Sequence, residues 1–383
     1  MEYFKQPLKI GVIDNDIEPQ VLKTLVPYYL GKTTIVSCGK ADSAKTFVTP
    51  GAELPFHHST LCTALLIESL YEKNVLDRVQ IVNLSISDEL GKNTFQGLEN
   101  ALDYCISNNF NIVSVSIGVL NLLYARRMLP LLKSIKSTII VSAASNDFTL
   151  TYPAAFSTVI GVKRATHEKG IGITVVKNPT DGIELVISYT ETSILSRLRK
   201  EYQLNCEYSN SILVPRVCAE IAGNIIKNKG KLTKHSVLRT FMKNSDSSVE
   251  DQGWDIIFRK NPDDSIPVVL FQYDRVNQSN QCYLLKRLQE TFEANGYSCS
   301  ILCDCIVKSD FENGWYKTDP INIGRGIEYY LNVISDGVLF LLLYNEIAEG
   351  FYYDMSFEEE VLPHYLNEQG VNILYSQIIE SLS

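Results

Sequence analysis

At 383 residues the chain is long for one domain, so two or three structural units are expected. Hydrophobic residues make up 45% of it, enough to fill real cores and to exclude a disordered chain. A formal net charge of −9 argues against nucleic acid or an anionic membrane as the partner.

The opening Met1-Glu2-Tyr3-Phe4-Lys5 carries no apolar export segment, and a first strand is expected by Leu8, which makes a cytoplasmic location the default. That strand, Lys9-Ile10-Gly11-Val12-Ile13-Asp14, ends in a carboxylate. His58 opens a helix whose face runs through Leu61, Ala64, Leu65 and Glu68 to Leu70. Residues 79–86 read as a strand, Leu98, Ala101, Leu102, Cys105 and Ile106 as a helix face, 112–117 as a strand and 120–136 as helical. The next strand runs from Thr138 toward Asn146. After Ser211, the residues Val214, Val217, Cys218, Ile221, Ala222 and Ile225 recur at the spacing of one buried helix face. Pro215 falls in its first turn, where a missing N–H is harmless. This alternation predicts an α/β, doubly wound, mostly parallel sheet.

The polar stretch 244–251 and the turn signal Asn261-Pro262-Asp263-Asp264 divide the chain into residues 1–245, a linker 246–265 and a smaller α/β domain 266–383. In the last, strands are expected at 266–273, 297–302, 338–344 and near 371–375, with helices at 283–294, near 324–334 and near 357–368. It carries no phosphate loop or Gly-x-Gly-x-x-Gly run. Its dense aromatics and acids (Tyr329, Tyr330, Tyr344, Phe351, Tyr352, Tyr353, Glu358, Glu359, Glu360) read as core tyrosines and a solvated helix start, or as a docking surface for a peptide. The apolar run 338–344 is too short to span a bilayer.

Nine cysteines, an odd number without paired metal spacing, predict reduced and mostly core thiols. Cys299, Cys303 and Cys305 are close, but no second cluster accompanies them. No cofactor or metal is predicted.

Four residues stand out together: Asp14, His58, Asn146 and Ser211. Singly they read as a strand-end carboxylate, a helix-start polar residue, a turn residue and an N-cap. Their flanks say more. His58-Ser59-Thr60-Leu61-Cys62-Thr63-Ala64 is similar to a His-Gly-Thr-x-Val/Cys-Ala-Gly run, Ala143-Ala144-Ser145-Asn146 to Ala-Ala-Gly-Asn, and Tyr152-Pro153 with Val159-Ile160-Gly161-Val162 follow in order. In this order and over about residues 8–230, the chain resembles the subtilisin-like serine proteases. It departs from them at Asn15-Asp16 after the aspartate, at Ser59 and Ser145 in place of glycines, and at Ser209-Asn210 in place of Gly-Thr before the serine. Counting the histidine motif from His58 rather than His57 places Thr60, Cys62, Thr63 and Ala64 on matching positions.

The resemblance implies Ser211 as nucleophile, His58 as base and Asp14 as the carboxylate that orients it. It implies Asn146 as an oxyanion donor beside the Ser211 backbone N–H. Ser116, Ile117 and Gly118 would pair with the substrate backbone, a plain edge strand being the other reading. Ala143, Ala144 and Ser145 would line the slot for the residue on the acyl side of the cut, with Ser145 narrowing it toward small side chains. Many exported relatives carry a folding prodomain, for which the early first strand leaves no room; many bind structural calcium, for which no loop has the carboxylate density. The expected function is an intracellular serine endopeptidase that processes one peptide precursor by leader removal, with a peptide or protein substrate and an oligomeric state left open. A catalytically weak peptide-binding pseudopeptidase and an acyl-transferring ligase or macrocyclase are the alternatives.

Overall fold

The computed structural model describes residues 6–29, 34–38, 57–88, 90–165, 172–204, 206, 209–228, 233–244, 249–250, 266–273, 276–318, 323–334, 337–344, 353–357 and 365–382. Strands β1 (Leu8–Asp14), β2 (Thr34–Cys38), β3 (Val79–Ser85), β4 (Ile112–Val115), β5 (Ile139–Ala143), β6 (Ile160–Arg164), β7 (Ile173–Lys177), β8 (Leu185–Ile187) and β9 (Val249–Glu250) form one sheet. Its order is β2-β3-β1-β4-β5-β6-β8-β7-β9, parallel throughout except between β7 and β8. A second, wholly parallel sheet runs β12-β11-β13-β10-β14, from β10 (Val268–Tyr273), β11 (Cys299–Cys303), β12 (Trp315–Lys317), β13 (Val338–Tyr344) and β14 (Met355–Phe357). The expected α/β class with a mostly parallel sheet and a second, smaller one is the observed one.

Buried parallel strands are apolar on both faces, and β1 shows why the sequence lies this way. Leu8, Ile10 and Val12 enter one core while Ile13 enters the core on the opposite face. The first core is covered by α1 (Pro19–Leu25), α2 (His58–Glu72), α6 (Ser193–Tyr202), α7 (Val214–Asn228) and α8 (Lys234–Asn244). The opposite core is covered by α3 (Phe95–Ser107), α4 (Leu122–Arg126) and α5 (Leu129–Lys133). Gly11 permits α3 to come close, since a Cβ there would stand 2.8 Å from Cys105 Sγ.

The second sheet shares that opposite core. Along β13, Leu339, Leu341 and Leu343 face it, while Val338, Phe340 and Leu342 face a third core beneath α9 (Gln278–Ala294) and α11 (Glu368–Leu382). This is the two-residue period of a strand with both faces covered. Helix α10 (Ile323–Val333) contributes Ile327, Tyr329 and Tyr330 to the shared core. Tyr329 and Tyr330 are therefore core tyrosines.

Two element expectations are corrected. Residues 120–136 form two short helices rather than one, because Pro130 lacks the N–H that a continuing helix needs and starts α5 instead. Residues 371–375 lie inside α11, not in a strand: Val371, Leu374 and Ile378 bury one helical face, a period that the short apolar run alone hides. Most of the helix expected near 357–368, with Phe351, Tyr352 and Glu358 to Glu360, lies outside the described residues, as does the linker apart from β9. Among the described residues no helix is long and apolar enough to cross a membrane.

Candidate active site

The carboxyl ends of the central parallel strands are where an α/β sheet offers a crevice, and β1 delivers Asp14 there. Asp14 is 1% exposed, and its Oδ1 accepts the Asn15 backbone N–H at 2.8 Å. Oδ2 lies 2.6 Å from Nδ1 of His58, the first residue of α2. On the other side of the ring, Nε2 lies 2.8 Å from Oγ of Ser211. Three stretches of chain thus meet in one hydrogen-bonded line. The neighbouring His57 points elsewhere, its Nε2 3.3 Å from Glu18.

The sequence departures around α2 are mutually satisfied. Asn15 Oδ1 accepts the Ser59 N–H at 2.9 Å, a cap supplied from the β1 side for an otherwise orphaned first-turn donor. The fully buried Ser59 hydroxyl accepts from Nδ2 of Asn83, itself fully buried on β3. Thr60 Oγ1 accepts the Glu18 N–H at 2.9 Å. These bonds fix the start of α2, and hence the His58 ring, to the end of β1.

Ser211 opens a 3₁₀ turn, Ser211–Leu213, that leads into α7. Its hydroxyl has a second neighbour, Ser209 Oγ at 2.7 Å. Asn210, between the two serines, donates its backbone N–H to Asn146 Oδ1 at 2.7 Å. Because that partner is an N–H, the oxygen of the Asn146 amide is the acceptor and its nitrogen occupies the other branch.

Every residue expected to carry or line the site borders one cleft of about 490 Å³: the Asp14, His58 and Ser211 line, Asn146, and the walls Ser116 to Gly118 and Ala143 to Ser145. Asn15, Asn93, Leu120, Thr151 and Ser209 border it too, and the sequence reading did not place them there. Thr151 is tied into the lining. Its Oγ1 accepts the Ser145 N–H at 3.0 Å and donates to Thr149 O at 2.9 Å. A Cβ on Gly118 would fall 2.0 Å from the Thr151 methyl, so these two residues are in close contact. The Ser145 hydroxyl is bonded to the Asp147 carboxylate.

The second sheet holds this wall from behind. Leu150 N–H donates to Val333 O at 2.7 Å, at the end of α10. Tyr152 pairs with Val119 through both backbone groups, and its hydroxyl lies 3.3 Å from that of Tyr316, which stacks on Tyr330. Tyr330 in turn donates to Thr180 O at 2.9 Å.

Cys62 lies one helical turn after His58, with Sγ 3.7 Å from Nδ1 and 3.8 Å from Nε2. Coulombic attraction to this sulfur, followed by the hydrogen bond and charge of Asp14, raises the His58 imidazole above its ordinary range, while burial opposes the shift. A ring held protonated donates from Nε2 to Ser211; only the neutral ring can accept the serine proton. Asp14, His58 and Cys62 also bring an oxygen, a nitrogen and a sulfur within 4.8 Å of one another, spacing that can seat a metal ion only in competition with the hydrogen-bonded line. Cys62, Cys206, Cys218, Cys282, Cys299, Cys303 and Cys305 are free thiols.

No family model and no curated protein matches the sequence. Solved structures are similar to it. One is a lanthipeptide protease, at 14% identity and a TM-score of 0.40, with 61% of this chain and 78% of that chain covered. Another is a cold-adapted subtilisin-like serine proteinase, at 14% identity and a TM-score of 0.39, covering 63% of this chain and 83% of that one. A third is the self-cleaved protease domain of PatA, at 13% identity and a TM-score of 0.37, covering 61% and 86%.

Proposed function

We propose that the protein is a serine endopeptidase that cuts peptide bonds through an acyl-enzyme. The observation that carries this reading is the Asp14–His58–Ser211 line, closed at 2.6 and 2.8 Å at the mouth of a cleft. Neutral His58 takes the Ser211 proton at Nε2 as Oγ attacks the scissile carbonyl, and Asp14 holds Nδ1–H and stabilises the imidazolium. The carbonyl oxygen becomes an oxyanion held by Asn146 Nδ2 and the Ser211 N–H. Collapse of this intermediate breaks the C–N bond, His58 returns its proton to the leaving amine, and the acyl group stays on Ser211 until water, deprotonated by His58, releases it.

The substrate backbone lies along Ser116 to Gly118, continuing β4, and the side chain before the cut enters between them and Ala143 to Ser145. The contact between Thr151 and Gly118 supports a small side chain there. A narrow slot supports a dedicated processor of a peptide precursor, removing a leader, over a digestive enzyme. The free thiols support a cytoplasmic site of action.

The hydroxyl–hydroxyl contact between Ser209 and Ser211 and the raised His58 favour a second reading, in which the cleft binds and presents a peptide without cutting it. A fluorophosphonate probe separates the two. Labelling of the wild type and not of Ser211→Ala supports the peptidase; no labelling of either form supports the binder.

A further inference from the structure

The residue before Ser211 is a fully engaged, buried polar side chain. Asn210 is 7% exposed. Its Nδ2 donates to Ser145 O at 2.8 Å and to Ala144 O at 3.3 Å, its Oδ1 accepts the Arg164 N–H at 2.8 Å, and its backbone N–H donates to Asn146 Oδ1 at 2.7 Å. A buried amide with both donors and its acceptor used is held in one orientation. The partners are not scattered. Ala144, Ser145 and Asn146 form the wall of the slot and the oxyanion donor, and Arg164 ends β6, the strand that pairs with β5.

We propose that Asn210 is a positioning residue that ties the nucleophile turn to the oxyanion wall, fixing Ser211 and Asn146 relative to one another. Its side chain fastens the turn to the carbonyls of 144 and 145 and to the end of β6, while its N–H takes up the Asn146 oxygen and leaves the amide nitrogen as the donor toward the substrate. The bulk added before Ser211 therefore serves the turn. A shorter side chain cannot span from β6 to the 144–145 carbonyls. This inference rests on the peptidase reading of Ser211.

The test uses the full chain and a fluorophosphonate, with the maximal labelling rate and the half-saturating concentration measured separately, and folding checked by circular dichroism. Wild type, Ser211→Ala, Asn210→Ala and Asn210→Thr are compared; the threonine variant keeps a branched polar side chain and guards against loss of fold. For both Asn210 variants we expect the maximal rate in the folded protein to fall by about tenfold to a hundredfold, the loss typical of a displaced catalytic geometry, with half-saturation within about threefold and an unchanged pH midpoint. Folded variants that label at the wild-type maximal rate overturn the role of Asn210. Absence of labelling in the wild type overturns instead the peptidase reading, and this proposal with it.

Discussion

The Cys62 sulfur sits against both nitrogens of the His58 ring, 3.7 Å from Nδ1 and 3.8 Å from Nε2, one turn further along the same helix. The sulfur and the Asp14 carboxylate both raise the imidazole, against the opposing effect of burial. Since only the neutral ring accepts the Ser211 proton, the rate of acylation should climb with pH, with its midpoint above the ordinary imidazole value of about 6.5. Cys62→Ala removes one of the raising influences and should move that midpoint down. A pH profile of fluorophosphonate labelling for both proteins checks this, and a midpoint that stays put in the variant contradicts it.

Asp14→Asn keeps the size of the side chain but removes the charge that holds Nδ1–H. Turnover should fall by about 10⁴-fold through the wrong tautomer, with the fold intact. Steady-state kinetics alongside a melting curve separate this from unfolding.

Asn15 caps α2 from a neighbouring loop, so Asn15→Ala should cost about 1 kcal/mol of stability, the usual worth of a capping side chain. Denaturant unfolding measures it. An unchanged midpoint would show that the Ser59 N–H finds another acceptor.

Gly118 and Thr151 meet where they line the cleft. Gly118→Ala would place a methyl 2.0 Å from the Thr151 methyl, pushing the walls apart and reducing cleavage of every peptide. Thr151→Gly should instead widen the slot and raise cleavage after Phe relative to Ala or Gly. Wild-type cleavage faster after Phe than after Ala would refute the small-residue preference.

Tyr330 is fully buried in the core that the two sheets share, stacked on Tyr316 at 4.5 Å. Tyr330→Ala should destabilise by about 3 kcal/mol or more, from lost burial and a residual cavity. Removing residues 266–383 should expose Leu122, Leu150 and Tyr152, which meet Gly314, Val333 and Tyr316, and give an insoluble product. A soluble, active truncation would mean that the shared core is dispensable.

Much of the fold was legible because parallel strands buried on both faces leave nearly continuous apolar runs, as in β1, β5 and β13. Short elements left no such trace. β8, with three residues, and β9, with two, are set by their neighbours, and α11 hid its helical period behind a brief apolar run. Asp14, His58, Asn146 and Ser211 were legible through flanking residues, each lying where a strand ends or a helix begins. Asn83, Thr151 and Asn210 were not, since each acts through partners distant in sequence: Asn83 reaches Ser59, Thr151 meets Gly118, and Asn210 spans from Arg164 to Ser145. The shared core of the two sheets was also invisible, because a strand pattern shows that two faces are buried and not what buries them.

The most direct measurement of the central claim is acid quenching of a peptide digest within the first turnover, followed by mass spectrometry of the fragment that contains Ser211. The account predicts an acyl-peptide adduct on Ser211 in the wild type and none in Ser211→Ala. Peptide cleavage that persists in Ser211→Ala, or an adduct on another residue, would contradict it.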